Sequence, residues 1–258
     1  MEQLRNEVAH HAHIENNIYT QKKTEATALF YSCLPKQIIR FLVIVIFLLL
    51  SIHLIAHFIY FRFPELHFSG WLVHHFGLNN DRNAPTLFNM AILFLSAILL
   101  YLTARRARLL GERNASRYWL LLCFIFIFLA LDEILMVHEF AGGLMRKRMD
   151  KSVPGYLIHA WVIPYLFFAL VVGLSYVRFV FRLPARIRNL IFAAGFLYVG
   201  SALGMEMLEG AEEASNGKNY KVLLLQTIEE VLEMLALTLF VYTLMQYLNL
   251  KRLGLKIN

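Results

Sequence analysis

The chain has 258 residues and a formal net charge of +7. Apolar residues make up 59% and charged residues 17%, against about 45–50% and about 25% in soluble domains. That balance excludes a pair of ordinary soluble domains. No basic–aromatic tract accompanies the positive charge, so it does not point to nucleic acid; in membrane proteins, basic residues gather in cytoplasmic loops.

Residues 1–36 are polar and mixed in charge, and are expected to form a cytoplasmic tail. His10, His11 and His13 lie in it as a short tract read as solvated. The first apolar run follows a polar stretch too long for a signal-peptide n-region and is followed by no small-residue cleavage site, so it reads as a retained helix. The two cysteines, Cys33 and Cys123, have no CxxC partner and receive no function.

Six apolar runs follow, at roughly 38–61, 86–104, 117–138, 157–179, 188–209 and 222–247. Each is long enough, at about 1.5 Å per residue, to cross about 30 Å of hydrocarbon. The expected fold is all-α, a polytopic bundle of six transmembrane helices over 37–250, with a short cytoplasmic tail at 251–258. Residues 62–85 carry Pro64, Trp71, His74, His75 and Asn79 and read as a loop with an interfacial piece. If the N-terminus is cytoplasmic, seventeen Lys and Arg fall in inner segments and eight in outer ones. This bias predicts both termini inside.

The acids and histidines gather at one level. The third run carries Asp132, Glu133, His138 and Glu139 near its outer end, and the fifth carries Glu206 and Glu209. The sixth carries Glu229, Glu230 and Glu233 in its first turns. The first run carries His53 and His57, and His159 opens the fourth. At about 100° per residue, Gln226, Glu229, Glu230 and Glu233 share one arc of about 100°, and Glu206, Glu209 and Glu213 share about 60°. His53 and His57, four apart, share a face. Gly204 and Gly210 bracket Glu206 and mark the fifth run as the one place for a local distortion.

Charge inside a membrane is expensive, at about 2.5–3.5 kcal/mol for a centred carboxylate on insertion scales. No Lys or Arg lies within the helix cores, so protons, interfacial water or bound cations must balance the acids. Carboxylate with imidazole and without thiolate is the donor set of zinc, iron or manganese. The expected divalent-metal ligands are His53, His57, Asp132, His138, Glu139, His159, Glu206, Glu209, Glu229 and Glu233. Glu133 and Glu230 are the expected general bases. The Glu-x-x-His spacing of di-iron bundles is absent, since Glu133 is followed by His138.

The segments LALDEILMVHE (129–139), GMEMLEG and TIEEVLEM (227–234), with NAPTLF opening the second helix, resemble a family of uncharacterised bacterial multipass proteins. That family carries an LDE-x4-HE stretch ending one helix and an EExLEM stretch beginning the last. The resemblance implies a bacterial inner-membrane setting and no activity. Two functional classes compete. One is a metal-dependent enzyme acting on a lipid or another membrane-soluble substrate. The other is a proton- or cation-coupled transporter or channel. Against the second stands an apolar inner half without further ionisable groups. An accessory subunit with a stabilising ion, and a homo-oligomer, are both compatible with the chain.

Overall fold

A computed structural model of the protein describes residues 35–147 and 154–252. The tail histidines, Cys33 and the bases at 148 and 151 lie outside the described residues. Six helices are long and apolar enough to cross a membrane: α1 (Pro35–Arg62), α3 (Ala84–Leu109), α4 (Arg113–Leu135), α6 (Val162–Phe181), the span Ala185–Asn216, and α9 (Tyr220–Arg252). Two shorter helices join them, α2 (His67–Phe76) and α5 (Val137–Arg146). No strand occurs among the described residues. The chain is an all-helical multipass membrane protein.

α3 and α9 form the centre. Their membrane windows are 50% and 56% buried, against 17–22% for the other four spans. The main core joins Leu93, Leu100, Trp119, Ile187, Leu237 and Leu244 from α3, α4, the fifth span and α9. Hydroxyls in these helices bond the carbonyl four residues back, as at Ser96, Thr103 and Thr243. These three hydroxyls are thereby satisfied inside their own helices. Cys123 does the same across helices, its Sγ lying 3.2 Å from the Ala97 carbonyl oxygen.

The starts of α3 and α9 are capped by side chains. The Asn83 side chain accepts the Thr86 N–H, with Pro85 in the first turn of α3. The Asn219 side chain accepts the Lys221 and Val222 N–H groups at the start of α9. The basic end of the bundle is tied by Lys251 to Glu112 at 2.6 Å and by Arg106 to the Lys251 carbonyl.

Two elements depart from the expected runs. The third run does not continue through His138. α4 stops at Met136, which takes a left-handed conformation (φ 53°, ψ 43°), and α5 starts again at Val137. The fourth run does not begin at 157. A 3₁₀ turn at Gly155–Leu157 and a bend precede α6. His138, Glu139 and His159 therefore stand in connecting segments rather than on membrane helices.

The fifth span is one continuous rod in three parts: α7 (Ala185–Val199), a π-helical stretch (Gly200–Met205) and α8 (Glu206–Asn216). The wide turn lies immediately before Glu206, where the two glycines marked a distortion. π turns of this kind recur at functional sites.

Candidate functional site

α4, α8 and α9 bring their acids to the same end of the bundle, opposite the basic end. They line one cavity of about 940 Å³. Ten of the twelve expected site residues line it: Asp132, Glu133, His138 and Glu139; His159, Glu206 and Glu209; and Glu229, Glu230 and Glu233. The structure brings these together and leaves His53 and His57 out.

At the centre are Glu206, Glu209 and Glu229. One oxygen from each lies within 4.8 Å of the others. Glu209 and Glu229 are buried, at 2% and 9% exposure. Glu209 is hydrogen-bonded to Glu229 and Gln226, and its Oε1 is buried with no partner. Two carboxylates in such contact cannot both be bare anions; a proton or a cation must sit between them. None of the carboxylates lining the cavity pairs with a lysine or arginine at Glu206, Glu209, Glu229, Glu133, Glu230 or Glu233 among the described residues. The buried orphan oxygen and the missing counter-charge both fit a divalent cation held by these three residues.

Imidazole completes the group. His159 Nδ1 lies 3.2 Å from Glu206 Oε1, and Trp161 Nε1 donates to the same oxygen at 3.1 Å. His159 Nε2 lies 3.6 Å from Glu213. A close backbone crossing seats this histidine. A Cβ on Gly210 would stand 2.8 Å from the Gly155 carbonyl oxygen and 3.2 Å from His159 Cδ2. Only glycine lets the 3₁₀ segment lie this close to α8.

A second arrangement surrounds Asp132. Its Oδ1 accepts the His138 backbone N–H at 2.9 Å. Its Oδ2 accepts from the Tyr165 hydroxyl at 2.8 Å and lies 3.3 Å from His138 Nδ1. Burial lowers the pKa of His138, and the adjoining Asp132 carboxylate more than offsets this, so the net shift is upward. Both Asp132 oxygens are therefore engaged, and Asp132 serves as an orienting group rather than an open metal ligand. The His138 ring meets Trp161 edge to face at 5.2 Å, which links this pair to the Glu206 side of the cavity.

Glu133, Glu230 and Glu233 line the cavity beyond the three-carboxylate group. Asn89 of α3 donates to Glu133 and also hydrogen-bonds Glu233. Glu139 is exposed at the cavity rim. Glu212 lies outside the cavity and joins α8 to α9, accepting from Asn216 and Asn219 at 3.0 Å each.

His53 and His57 serve the packing of α1. His53 Nδ1 accepts the Leu78 N–H at 3.0 Å, so Nε2 carries the proton toward Thr227 Oγ1 at 3.0 Å. Thr227 in turn donates to Leu223 O. Both ring nitrogens are used, which leaves no lone pair for a metal. His57 bonds Asn79 at 3.2 Å. His57 Nδ1 is buried without a partner, so the hydrogen bonds close His53 alone to a metal, and both rings stand outside the carboxylate cavity.

Asn89, Trp161 and Tyr165 are site residues absent from the expected set, whereas Gln226 was expected on the acidic arc of the last helix. The signal of the first three was polar or amphipathic side chains within apolar helices. Trp161 and Tyr165 are also four apart, on one face of a helix start.

No curated protein matches the chain, and no solved structure matches it. A family model described as "Domain of unknown function (DUF8692)" matches residues 37–247, and the chain belongs to that family.

Proposed function

We propose that the protein is a metal-dependent membrane enzyme that hydrolyses a lipid, with Glu206, Glu209 and Glu229 holding one divalent cation. The observation that carries this reading is the buried three-carboxylate group, unbalanced by any lysine or arginine, at the polar end of a large cavity. A bound zinc, iron or manganese ion supplies Lewis acidity and an activated water. A single set of close donors suits that chemistry better than a metal pair.

The chain's own residues supply the rest. His159 and Trp161 fix the orientation of Glu206 through its Oε1. Such partners of a ligand tune metal affinity. Glu133 and Glu230, outside the ligand group, accept the proton that water gives up. His138, oriented by Asp132 through Nδ1, offers Nε2 for proton delivery to the leaving group. The basic bias supports both termini being cytoplasmic, so that the site faces the outer leaflet, and the resemblance of the sequence motifs supports a bacterial inner-membrane setting.

The transporter reading is weaker because the cavity turns apolar toward the basic end. Trp119, Phe126, Phe179 and Phe240 line it there and offer an ion no ligands.

The test is the metal content of purified protein, paired with hydrolysis of vesicle lipids. Stoichiometric metal is expected, lost in Glu209→Gln and kept in Glu212→Gln. Metal-free protein that drives pH-dependent cation flux in liposomes would overturn the enzyme reading.

A further inference from the structure

The cavity does not end at the carboxylates. On α4 its lining runs from Asp132 to Trp119, thirteen residues or about 20 Å along the helix axis. Below the acids this arm is walled by aliphatic and aromatic side chains. An apolar arm of that depth spans about two thirds of the ~30 Å hydrocarbon core.

The arm is open at its side. Phe168 of α6 and Phe192, Phe196 and Val199 of α7 line the cavity, yet they are 39%, 42%, 85% and 38% exposed. Side chains that face both the cavity and the bilayer mark a slot between these two helices. The Phe181 and Phe192 rings, 5.6 Å apart, make a contact between the two helices on the turn side of Gly195.

Glycines hold the slot open. Gly173 and Gly195 both line the cavity. In membrane bundles small residues usually let two helices touch. Here a Cβ on either glycine would meet nothing within 4 Å among the described residues beyond its own helix. Gly173 lies about 12 Å and Gly195 about 15 Å along their helices from the 182–184 turn, so the gap sits at the depth of lipid tails.

We infer that a hydrocarbon chain of a bilayer lipid enters sideways between α6 and α7 and fills the arm, with its head at the carboxylates. This inference rests on the proposed lipid substrate but not on the metal. The slot admits one chain and leaves any second chain in the bilayer, so the ligand is a membrane-resident amphiphile rather than a soluble metabolite. Each methylene that leaves lipid for this arm exchanges one apolar setting for another, so shape complementarity to the arm, not hydrophobicity, must select the chain.

Trp119 provides the probe. It lines the floor of the arm and is only 1% exposed, so bulk lipid does not touch it. A variant with Trp71→Phe and Trp161→Phe keeps it as the one indole. In vesicles of phosphatidylcholine brominated near the chain ends, Trp119 is expected to lose most of its emission. Adding Gly173→Phe and Gly195→Phe, which plug the slot, should restore it. Quenching that is absent, or that is unchanged in the plugged protein, would overturn the inference. Chelator should leave the quenching intact. If quenching holds while the protein with all three indoles carries no metal, the metal reading alone fails. Brominated single-chain lysolipid and diacyl lipid, run side by side, decide whether a second chain is tolerated.

Discussion

Asp132 ends one helix and orients the first turn of the next through a single partner, His138: one carboxylate oxygen takes its backbone N–H and the other lies 3.3 Å from its Nδ1. The left-handed Met136 between them makes this fold-back possible. The pair sets where α5 leaves the membrane and which ring nitrogen faces the cavity.

A pH dependence follows. The pKa of His138 is raised above its ordinary value of 6.5 in the folded protein. Its stabilising contribution is thus complete below about pH 6.5 and is lost as pH rises through the higher folded value. Thermal unfolding in detergent should show wild type above His138→Asn at low pH, with the gap closing at alkaline pH. Asp132→Ala removes a cap and a charged hydrogen-bond acceptor and should cost about 1–3 kcal/mol. A gap that widens with pH would contradict the assignment.

Glutamine scanning separates a cation from a proton at the carboxylates. Glu→Gln keeps volume and deletes charge. With a metal in place, Glu206→Gln and Glu229→Gln should lose bound metal and lower the melting temperature of the metal-loaded protein. With protons alone, the same changes should leave stability equal or higher, because an amide imitates a protonated carboxyl. Glu212→Gln should leave metal content alone while loosening the α8–α9 junction.

His53→Ala should behave in the opposite way. It strips the buried Leu78 N–H of its acceptor, which costs about 1–3 kcal/mol. Metal content should remain at the wild-type level. Lost metal with unchanged stability would return His53 to the ligand set.

Gly210→Val tests the seat of His159. The new side chain meets the Gly155 carbonyl and Ile158, an overpacking worth about 1–3 kcal/mol. Displacing a residue that orients a ligand should weaken metal binding about 10–100-fold. Titration of metal-stripped protein with zinc reads this directly.

Reporter fusions test orientation. Fusions after residues 80, 150 and 217 are expected on the outer side, and fusions after 110 and 184 on the inner side. A cytoplasmic report at 150 would reverse the orientation.

The six spans were legible because each holds a long apolar stretch with few charged residues. The break at Met136 was not, because Leu135–Met136–Val137 is uniformly apolar and holds no glycine or proline; the turn is specified by the Asp132 side chain, six residues before His138. Glu206, Glu209 and Glu229 were legible from the expense of buried charge and from shared helical phase. His53 satisfied the same criteria for a different reason. A neutral imidazole between a backbone N–H and Thr227 looks, in sequence, like any other intramembrane histidine. Asn89 escaped notice because an uncharged amide in an apolar helix carries little weight until its acidic partners are known.

The π turn at Gly200–Met205 sets the angular register between two halves of a single rod. A π turn holds one residue more than an α turn requires. If the same residues wound as a plain α-helix, with none deleted, the rod would be slightly longer and still able to cross the bilayer. Everything after it would swing by about 100°. Glu206 and Glu209 would face away from Glu229, and His159 would lose its partner. Whether the protein inserts and whether it has a working centre are thus set separately, and the second depends on how one turn winds in a stretch whose composition is unremarked by hydropathy.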